Sequence, residues 1–270
     1  MATIAVSQGE RGIVARPTTD RALLREFLEQ DRLYAAYALC DLDDREYPRT
    51  RWAAAYDRGD VVAIGMEYSG LTPQPLFLMG GNDGIATILR DVLRPRAAYV
   101  AAKTQAMPAV ETQYRVDPGP QMVRMWVDRA RFRPYPAEVR RLLPSEIGEL
   151  NRLYQLGFAS WLPSSAIAEG VYFGVRVHGK LISAAGTHVI SREARLAVVG
   201  NVLTHADYRG RGYATTLVAE QSRWLLDAGR RFCFLYTDLD NPTSNALYRR
   251  IGYRMIAESG EVRFDPKAAA

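Results

Sequence analysis

The sequence predicts a mixed α+β protein made of two similar domains, each a mostly antiparallel central sheet with flanking helices. Three observations carry this prediction. Short apolar and aromatic runs of strand length alternate with helical patterns, and the alternation occurs twice along the 270 residues. Two tight-turn signals, Asp57-Arg58-Gly59-Asp60 and Val177-His178-Gly179-Lys180, each join two such runs into a hairpin. A stretch with prolines among basic residues, Arg131-Phe132-Arg133-Pro134-Tyr135-Pro136, reads as a linker between the halves. The expected domains are residues 1–132 and 133–270.

The first half opens with a strand at Gly12–Ala15. A helix follows from Thr19, with Asp20 near its start and Leu23, Leu24, Phe27 and Leu28 at helical spacing. Strands are expected at Trp52–Tyr56, Val61–Tyr68 and Pro75–Met79. The glycine-rich turn Gly80-Gly81-Asn82-Asp83-Gly84 then precedes a helix over Ile85–Leu93. Ala97–Ala101 and Gln121–Val127 read as closing strands. The second half repeats the rhythm with a strand at Val139–Leu143 and a helix over Pro144–Tyr154. A hairpin of Val171–Val177 and Leu181–Val189 leads to a third strand, Arg195–Thr204. The helix after Gly212 puts Leu217, Trp224, Leu225 and Ala228 on one stripe. Arg231–Thr237 is apolar almost throughout and reads as a buried strand. A helix over Asn241–Ile251 ends at Gly252, two closing strands follow at Tyr253–Ile256 and Glu261–Phe264, and the tail Asp265–Ala270 is expected to fray.

Composition bounds the function classes. Apolar content of 48% supports a sizeable core, and a net charge of +5 favours anionic partners without choosing among them. No basic stripe interleaved with aromatics is present, which argues against nucleic acid as a partner. The two cysteines, Cys40 and Cys233, read as buried or incidental thiols. Three histidines, His178, His188 and His205, form no ligand cluster, and no metal is expected. The start Met-Ala-Thr-Ile-Ala-Val lacks a leader pattern, and no run is long enough to cross a bilayer. The chain reads as cytoplasmic, with no membrane partner.

The sharpest chemical signal is Tyr208-Arg209-Gly210-Arg211-Gly212-Tyr213-Ala214, set between an apolar strand and a helix. Glycine removes the Cβ where the chain bends sharply, so a phosphate can approach the main chain. The first N–H groups of the next helix have no internal partners, and the helix dipole adds about 0.3–2 kcal/mol for an anion. Arg209 and Arg211 offer charge-assisted hydrogen bonds at the same place. Downstream, Asn241-Pro242-Thr243-Ser244-Asn245-Ala246-Leu247-Tyr248 begins a helix directly after a buried strand.

With those two motifs in order, Val139–Phe264 resembles the GNAT superfamily of acyl-CoA-dependent N-acyltransferases. The family's phosphate loop, Arg/Gln-x-x-Gly-x-Gly/Ala, is matched by Arg209, Gly212 and Ala214. Its next helix is matched by Asn241, Ala246, Leu247, Tyr248, Gly252 and Tyr253. The resemblance implies acetyl-CoA as the acyl donor and a primary amine of a small molecule or amino acid as the acceptor, joined by direct attack. It implies that Arg195–Thr204 splays from Arg231–Thr237, and that Val202, Leu203 and Thr204 pair with the pantetheine arm. Residues Arg209, Gly210, Arg211, Gly212, Tyr213 and Ala214 would hold the pyrophosphate, and Asn241 the cofactor arm. Tyr248 would protonate the departing thiolate, which suits a phenol of ordinary pKa about 10. The base is open: Glu169 is the first candidate, with His188, His205 and Asp238 as others.

The first half lacks the arginine and the Asn…Ala-Leu-Tyr segment, and is read as a degenerate copy. Tandem arrangements of this kind, with Gly200-Asn201-Val202 before the loop, resemble the glycine N-acyltransferase-like branch. Tyr34, Tyr37 and the acidic stretch Asp41–Glu46 are candidates to reach the acceptor side; the bland alternative is a solvated helix end. The rival function is a non-catalytic acyl-CoA-binding regulatory module. Monomer and homodimer are both compatible with the sequence.

Overall fold

The structure is a computed structural model that describes residues 12–70, 74–117, 121–136, 138–157 and 161–266, with the backbone alone at 117, 121 and 257–266. In chain order the elements are β1 (Val14–Pro17), α1 (Arg21–Glu29), α2 (Ala36–Cys40), β2 (Thr50–Asp57), β3 (Asp60–Tyr68), β4 (Gln74–Gly80), α3 (Asn82–Asp91), β5 (Ala98–Ala101), α4 (Met107–Glu111), β6 (Tyr114–Asp117) and β7 (Gln121–Asp128). They continue with β8 (Arg140–Arg141), α5 (Ile147–Tyr154), α6 (Ser165–Glu169), β9 (Phe173–Val177), β10 (Lys180–Ser191), β11 (Leu196–Thr204), α7 (Tyr213–Asp227), β12 (Phe232–Asp238), α8 (Pro242–Ile251) and β13 (Arg254–Pro266). The fold is mixed α+β with mainly antiparallel strands.

The chain forms two compact units: residues 1–30, 48–119 and 260–270 in the first, and 31–47 and 120–259 in the second. A single boundary at 132/133 is the simplest reading of the sequence. Both units are discontinuous in sequence instead, because β7 and α2 join the second unit and the last part of β13 joins the first.

Each unit holds an antiparallel meander followed by one parallel pair. In the first, β1, β2, β3 and β4 are antiparallel neighbours, and β4 pairs parallel with β5 across the crossover helix α3. Residues Glu261–Phe264 of β13 complete it beside β5. In the second, β8, β9, β10 and β11 are antiparallel neighbours, β11 pairs parallel with β12 across α7, and β7 lies on the far side of β12. Both hairpin turns put two consecutive residues at positive φ: Arg58 and Gly59 at 52° and 100°, His178 and Gly179 at 48° and 78°. That backbone follows the right-handed twist of the strands it joins. Asp20 caps α1, its carboxylate accepting from the N–H groups of Ala22 and Leu23 at 3.0 Å, so that Leu24, Phe27 and Leu28 face the core. The second unit's main core lies between its sheet and α7 and α8, around Met125, Ile182, Leu217, Leu235 and Tyr253. A smaller cluster on Leu150, Tyr154 and Tyr172 seats α5.

Three expectations need correction. The helix read as starting at Ile85 begins at Asn82, so Asn82–Gly84 are its first turn and not a loop. Gly84 is there for packing: a Cβ would lie 2.7 Å from that of Ala63, so only glycine lets α3 close onto β3. The two expected closing strands are one continuous strand, β13. Asp265 and Pro266, expected to fray, pair with Arg115 and Tyr114 of β6; the rest of the tail, 267–270, lies outside the described residues, as does the start of the chain.

Gly252 ends α8 at φ 104°, where a Cβ would sit 2.1 Å from the carbonyl oxygen of Arg131. The N–H of Arg133 donates to Ile251 O at 2.8 Å, so the 131–136 stretch is strapped onto that helix end. Gly252→Ala is expected to lower unfolding free energy by about 1–3 kcal/mol from backbone strain alone, with the clash added. Urea denaturation measures this; a midpoint within error of wild type would contradict it.

Candidate functional site

The site begins where β11 and β12 part. Their parallel pairing covers Leu196–Phe232, Ala197–Cys233 and Val198–Phe234, and stops there, although β11 runs on to Thr204 and β12 to Asp238. On its other side β11 stays paired with β10 to Thr204, with two register shifts. Between Gly200–Gly186 and Leu203–Ala184, β11 advances three residues against two on β10. The extra residue is a bulge, with Asn201 at φ 51°. A bulge sharpens the local twist, and that turns the end of β11 away from β12. Tyr154 holds the bulge by donating its hydroxyl to Asn201 O at 2.5 Å. Val202, Leu203 and Thr204 line the parted stretch, each partly exposed. Ser183 Oγ donates to Leu203 O at 3.1 Å and bonds Thr204 Oγ1 at 2.7 Å, fixing that end of the strand to β10.

The chain then turns through His205–Gly212 into α7. Gly210 and Gly212 take φ 76° and 82°, and a Cβ on Gly210 would meet nothing within 4 Å. The turn is therefore open above its backbone. Gly212 is the N-cap of α7, and no side chain caps this helix; its first turn, Tyr213, Ala214 and Thr215, holds no acidic residue. Among the described α-helices only α1 and α8 carry a side-chain cap, so a bare start is shared with α3; what α3 has and α7 lacks is an acidic residue in the first turn, Asp83. Arg209 Nε donates to Thr204 O at 3.1 Å and Arg211 Nη2 to Asp207 O at 3.4 Å, while Arg211 stacks on Tyr208. The arginines thus brace the turn and keep their charge at the helix start, where both are exposed. These features suit an anion.

Across the parted strands stands α8. Asn241 caps it, its Oδ1 accepting from Ser244 N–H at 3.0 Å. Tyr248 is buried in the core, with its ring 6.0 Å from that of Tyr253. Its hydroxyl has no hydrogen-bond partner among the described residues. Burial pushes its pKa up to about 12, so the phenol stays protonated at neutral pH. Asn245 is anchored by donating to Asp238 O and Leu239 O at 3.2 and 3.0 Å, and its buried Oδ1 accepts nothing.

Of the base candidates, His205 accepts from Asp207 N–H at 3.3 Å and Asp238 from Asp240 N–H at 2.8 Å, so both hold turns. Glu169 ends α6 in an ion pair with Arg45. His188 lies beside the bulge: its Nε2 is 3.2 Å from Asn201 Oδ1 and its Nδ1 is 2.7 Å from the hydroxyl of Tyr37. Tyr37 therefore does reach this part of the second unit, while the acidic stretch behind it reaches β10 through Asp43, which accepts from Ser191 Oγ at 2.9 Å. Sequence reasoning missed Tyr172 and Tyr154, whose bonds to Asn201 set the bulge; the flagged Gly200-Asn201 pair was the available signal. Burial pushes the Cys233 thiol up to about 12, which leaves it protonated and inert at neutral pH.

The stretch from the strand before α5 through Tyr253 has counterparts among known proteins. Residues 137–253 match the model of the Acetyltransferase (GNAT) family. The matched stretch lies within the second unit and is less than half of the chain. Solved structures resemble the wider chain. A GCN5-related N-acetyltransferase from Sphaerobacter thermophilus is 14% identical, with 94% of this chain and 95% of that one covered and a TM-score of 0.65. A protein from Drosophila is 16% identical over 95% and 100%, with a TM-score of 0.69. A tandem GNAT protein from the clavulanic acid biosynthesis pathway is 14% identical over 96% and 99%, at 0.59. At these identities the likeness speaks for the fold. Comparison with curated proteins gave no match. The GNAT match supports N-acetyltransferase activity in general terms and names neither donor nor acceptor. No helix of the described residues is long and apolar enough to cross a membrane.

Beside β10, Asp41 at the end of α2 is buried, and desolvation, reinforced by Glu46 and Asp43, raises its pKa to about 8. A folded-state pKa raised above the unfolded one gives stability that is full below the unfolded value near 4 and is lost as pH rises through 8. Asp41→Asn removes that dependence. The variant is expected to gain on wild type steadily between pH 5 and 8 in thermal melts; a constant difference across that range would contradict it.

Proposed function

We propose that the protein moves an acetyl group from acetyl-CoA to a primary amine of a small molecule or amino acid. The observation that carries this reading is the parting of β11 from β12 directly above an open glycine turn and an uncapped helix start. A strand edge without a neighbour can take the amides of an extended arm, as an added strand would. The helix start, with Arg209 and Arg211, suits a diphosphate, and Gly210 leaves it room. In this reading the backbone of Val202, Leu203 and Thr204 binds the arm, residues 209–214 bind the phosphates, and Asn241 contacts the arm beside its capping role. The thioester supplies an activated acyl carbon with a good leaving group.

This chain's residues then have two tasks. One is to position the amine and the acyl carbon, the main source of rate in a direct transfer. The other is to move protons. Tyr248, buried, protonated and without a partner for its hydroxyl, is placed in this reading to donate to the leaving sulfur. Deprotonation of the acceptor falls to His188 or to Glu169. A backbone N–H at the bulge, that of Leu203, is the candidate donor to the developing oxyanion.

The first unit fits a degenerate copy. Its order of antiparallel strands, parallel pair and crossover helix repeats that of the second unit. Its glycine turn is closed: a Cβ on Gly80 would lie 2.4 Å from Val62 O, and Gly81 N–H donates to that oxygen at 2.9 Å. No arginine stands there.

Tyr248→Phe is expected to cut kcat by about 10²-fold or more while leaving the KM for acetyl-CoA nearly unchanged, since a general acid acts in the transition state. Thiol release from acetyl-CoA with a panel of primary amines measures this. Thiol release by both proteins at the same rate would sink the role of Tyr248. Binding without release in wild type would leave the non-catalytic module in place of the enzyme.

A further inference from the structure

We propose that Tyr37 and His188 form a proton relay that takes the proton leaving the acceptor nitrogen. The proposal rests on the acyltransferase reading and decides between its two candidate bases. His188 sits in a second bulge: between Thr187–Val199 and Val189–Val198, β10 advances two residues against one on β11. Bulges of this kind re-aim a side chain. The ring lies flat over Gly200, where a Cβ would come within 2.3 Å of Nε2, so only glycine admits it. His188 is thereby held one residue before the bulge at which β11 leaves β12. Tyr37, from α2, reaches its Nδ1 at 2.7 Å, and the Tyr37 ring packs at 5.1 Å on Tyr236, which lies on β12 beyond the parting. The pair thus spans the strands that separate.

The hydrogen bonds fix the tautomer. Thr187 O can only accept, so the hydroxyl of Tyr172 donates to it at 3.2 Å. The Tyr172 oxygen then accepts from Asn201 Nδ2 at 3.1 Å, which turns Asn201 Oδ1 toward His188. An amide oxygen at 3.2 Å requires that Nε2 carry the proton. Nδ1 is left as a lone pair, and the Tyr37 hydroxyl donates to it. The imidazole keeps solvent access while the protein around it disfavours its charge: desolvation lowers its pKa, and the Asn201 bond offsets this only in part. Around it stand the phenols of Tyr37, Tyr172 and Tyr236. The buried cation of Arg124 stacks on Tyr236 and Tyr34, and Asp43 lies farther along β10 on Ser191. At neutral pH the ring is therefore an uncharged base.

The step balances. As the amine nitrogen forms the C–N bond, one N–H proton passes to the Tyr37 oxygen and the Tyr37 proton passes to His188 Nδ1. The electron pair of the C–S bond leaves on sulfur, which takes a proton from Tyr248. His188 then releases its proton to water and Tyr248 regains one.

The test compares wild type, Tyr37→Phe, His188→Gln and Glu169→Gln. Acetyl-CoA affinity is measured by calorimetry, thiol release with the amine panel from pH 5.5 to 9.5, and the His188 tautomer by ¹⁵N NMR. Both relay variants are expected to bind acetyl-CoA within about twofold of wild type. His188→Gln should lose about 10²-fold or more in kcat/KM for the amine at neutral pH, and the acid limb, which lies below the usual imidazole pKa of about 6.5, should vanish. Tyr37→Phe should lose at least about tenfold, and the NMR should show Nε2–H in wild type. The relay is overturned if both variants keep rate and limb, if the limb disappears with Glu169→Gln instead, or if His188 carries its proton on Nδ1. Failure of wild type to bind acetyl-CoA, or to acylate any amine of the panel, would remove the acyltransferase reading and the relay with it.

Discussion

One extra residue in one strand governs the site. With Asn201 at positive φ, β11 keeps its pairing to β10 but cannot keep its pairing to β12 past Val198. A non-glycine residue in the left-handed region costs about 1–3 kcal/mol, and asparagine tolerates it better than most. That strain persists because its surroundings hold it: Tyr154 on the carbonyl, Tyr172 and His188 on the amide. The small α5 cluster that buries Tyr154 and Tyr172 therefore sets the shape of the parting from the opposite side of the sheet to α7.

The two units use the same sequence device, a glycine turn leading from a strand into a helix, to opposite ends. In the first, Gly80 and Gly84 let backbone and helix close onto β3, and any added Cβ would strike Val62 or Ala63. In the second, Gly210 faces open space, and a Cβ on Gly212 would meet only the hydroxyl of Tyr135 at 3.7 Å. Glycine serves close packing in one case and leaves an open turn in the other. Sequence alone separates them only through the neighbours: two arginines flank the second turn and none the first.

Most of the fold was legible because its signals are local. Hairpin turns, amphipathic helices, the caps Asp20 and Asn241 and the buried β12 all announce themselves within a few residues. The glycine turn and Tyr248 were singled out because the order of two motifs carries more than either one. What escaped is long-range. Nothing near Tyr37 says that it will meet His188, 151 positions away, or that residues 31–47 join the second unit. The bulges at Asn201 and His188 are properties of strand pairing, and a strand pattern cannot show them. The early start of α3 was hidden by Gly84, whose role depends on Ala63 across the interface.

The central claim is that the bare start of α7, and not its closed counterpart at α3, receives the diphosphate of coenzyme A. Amide hydrogen exchange with and without coenzyme A tests this directly. The account predicts slowed exchange at Gly210–Thr215 and along Val199–Thr204, with none at Gly80–Ile85. Unchanged exchange at the α7 start, or equal slowing at both glycine turns, would contradict it.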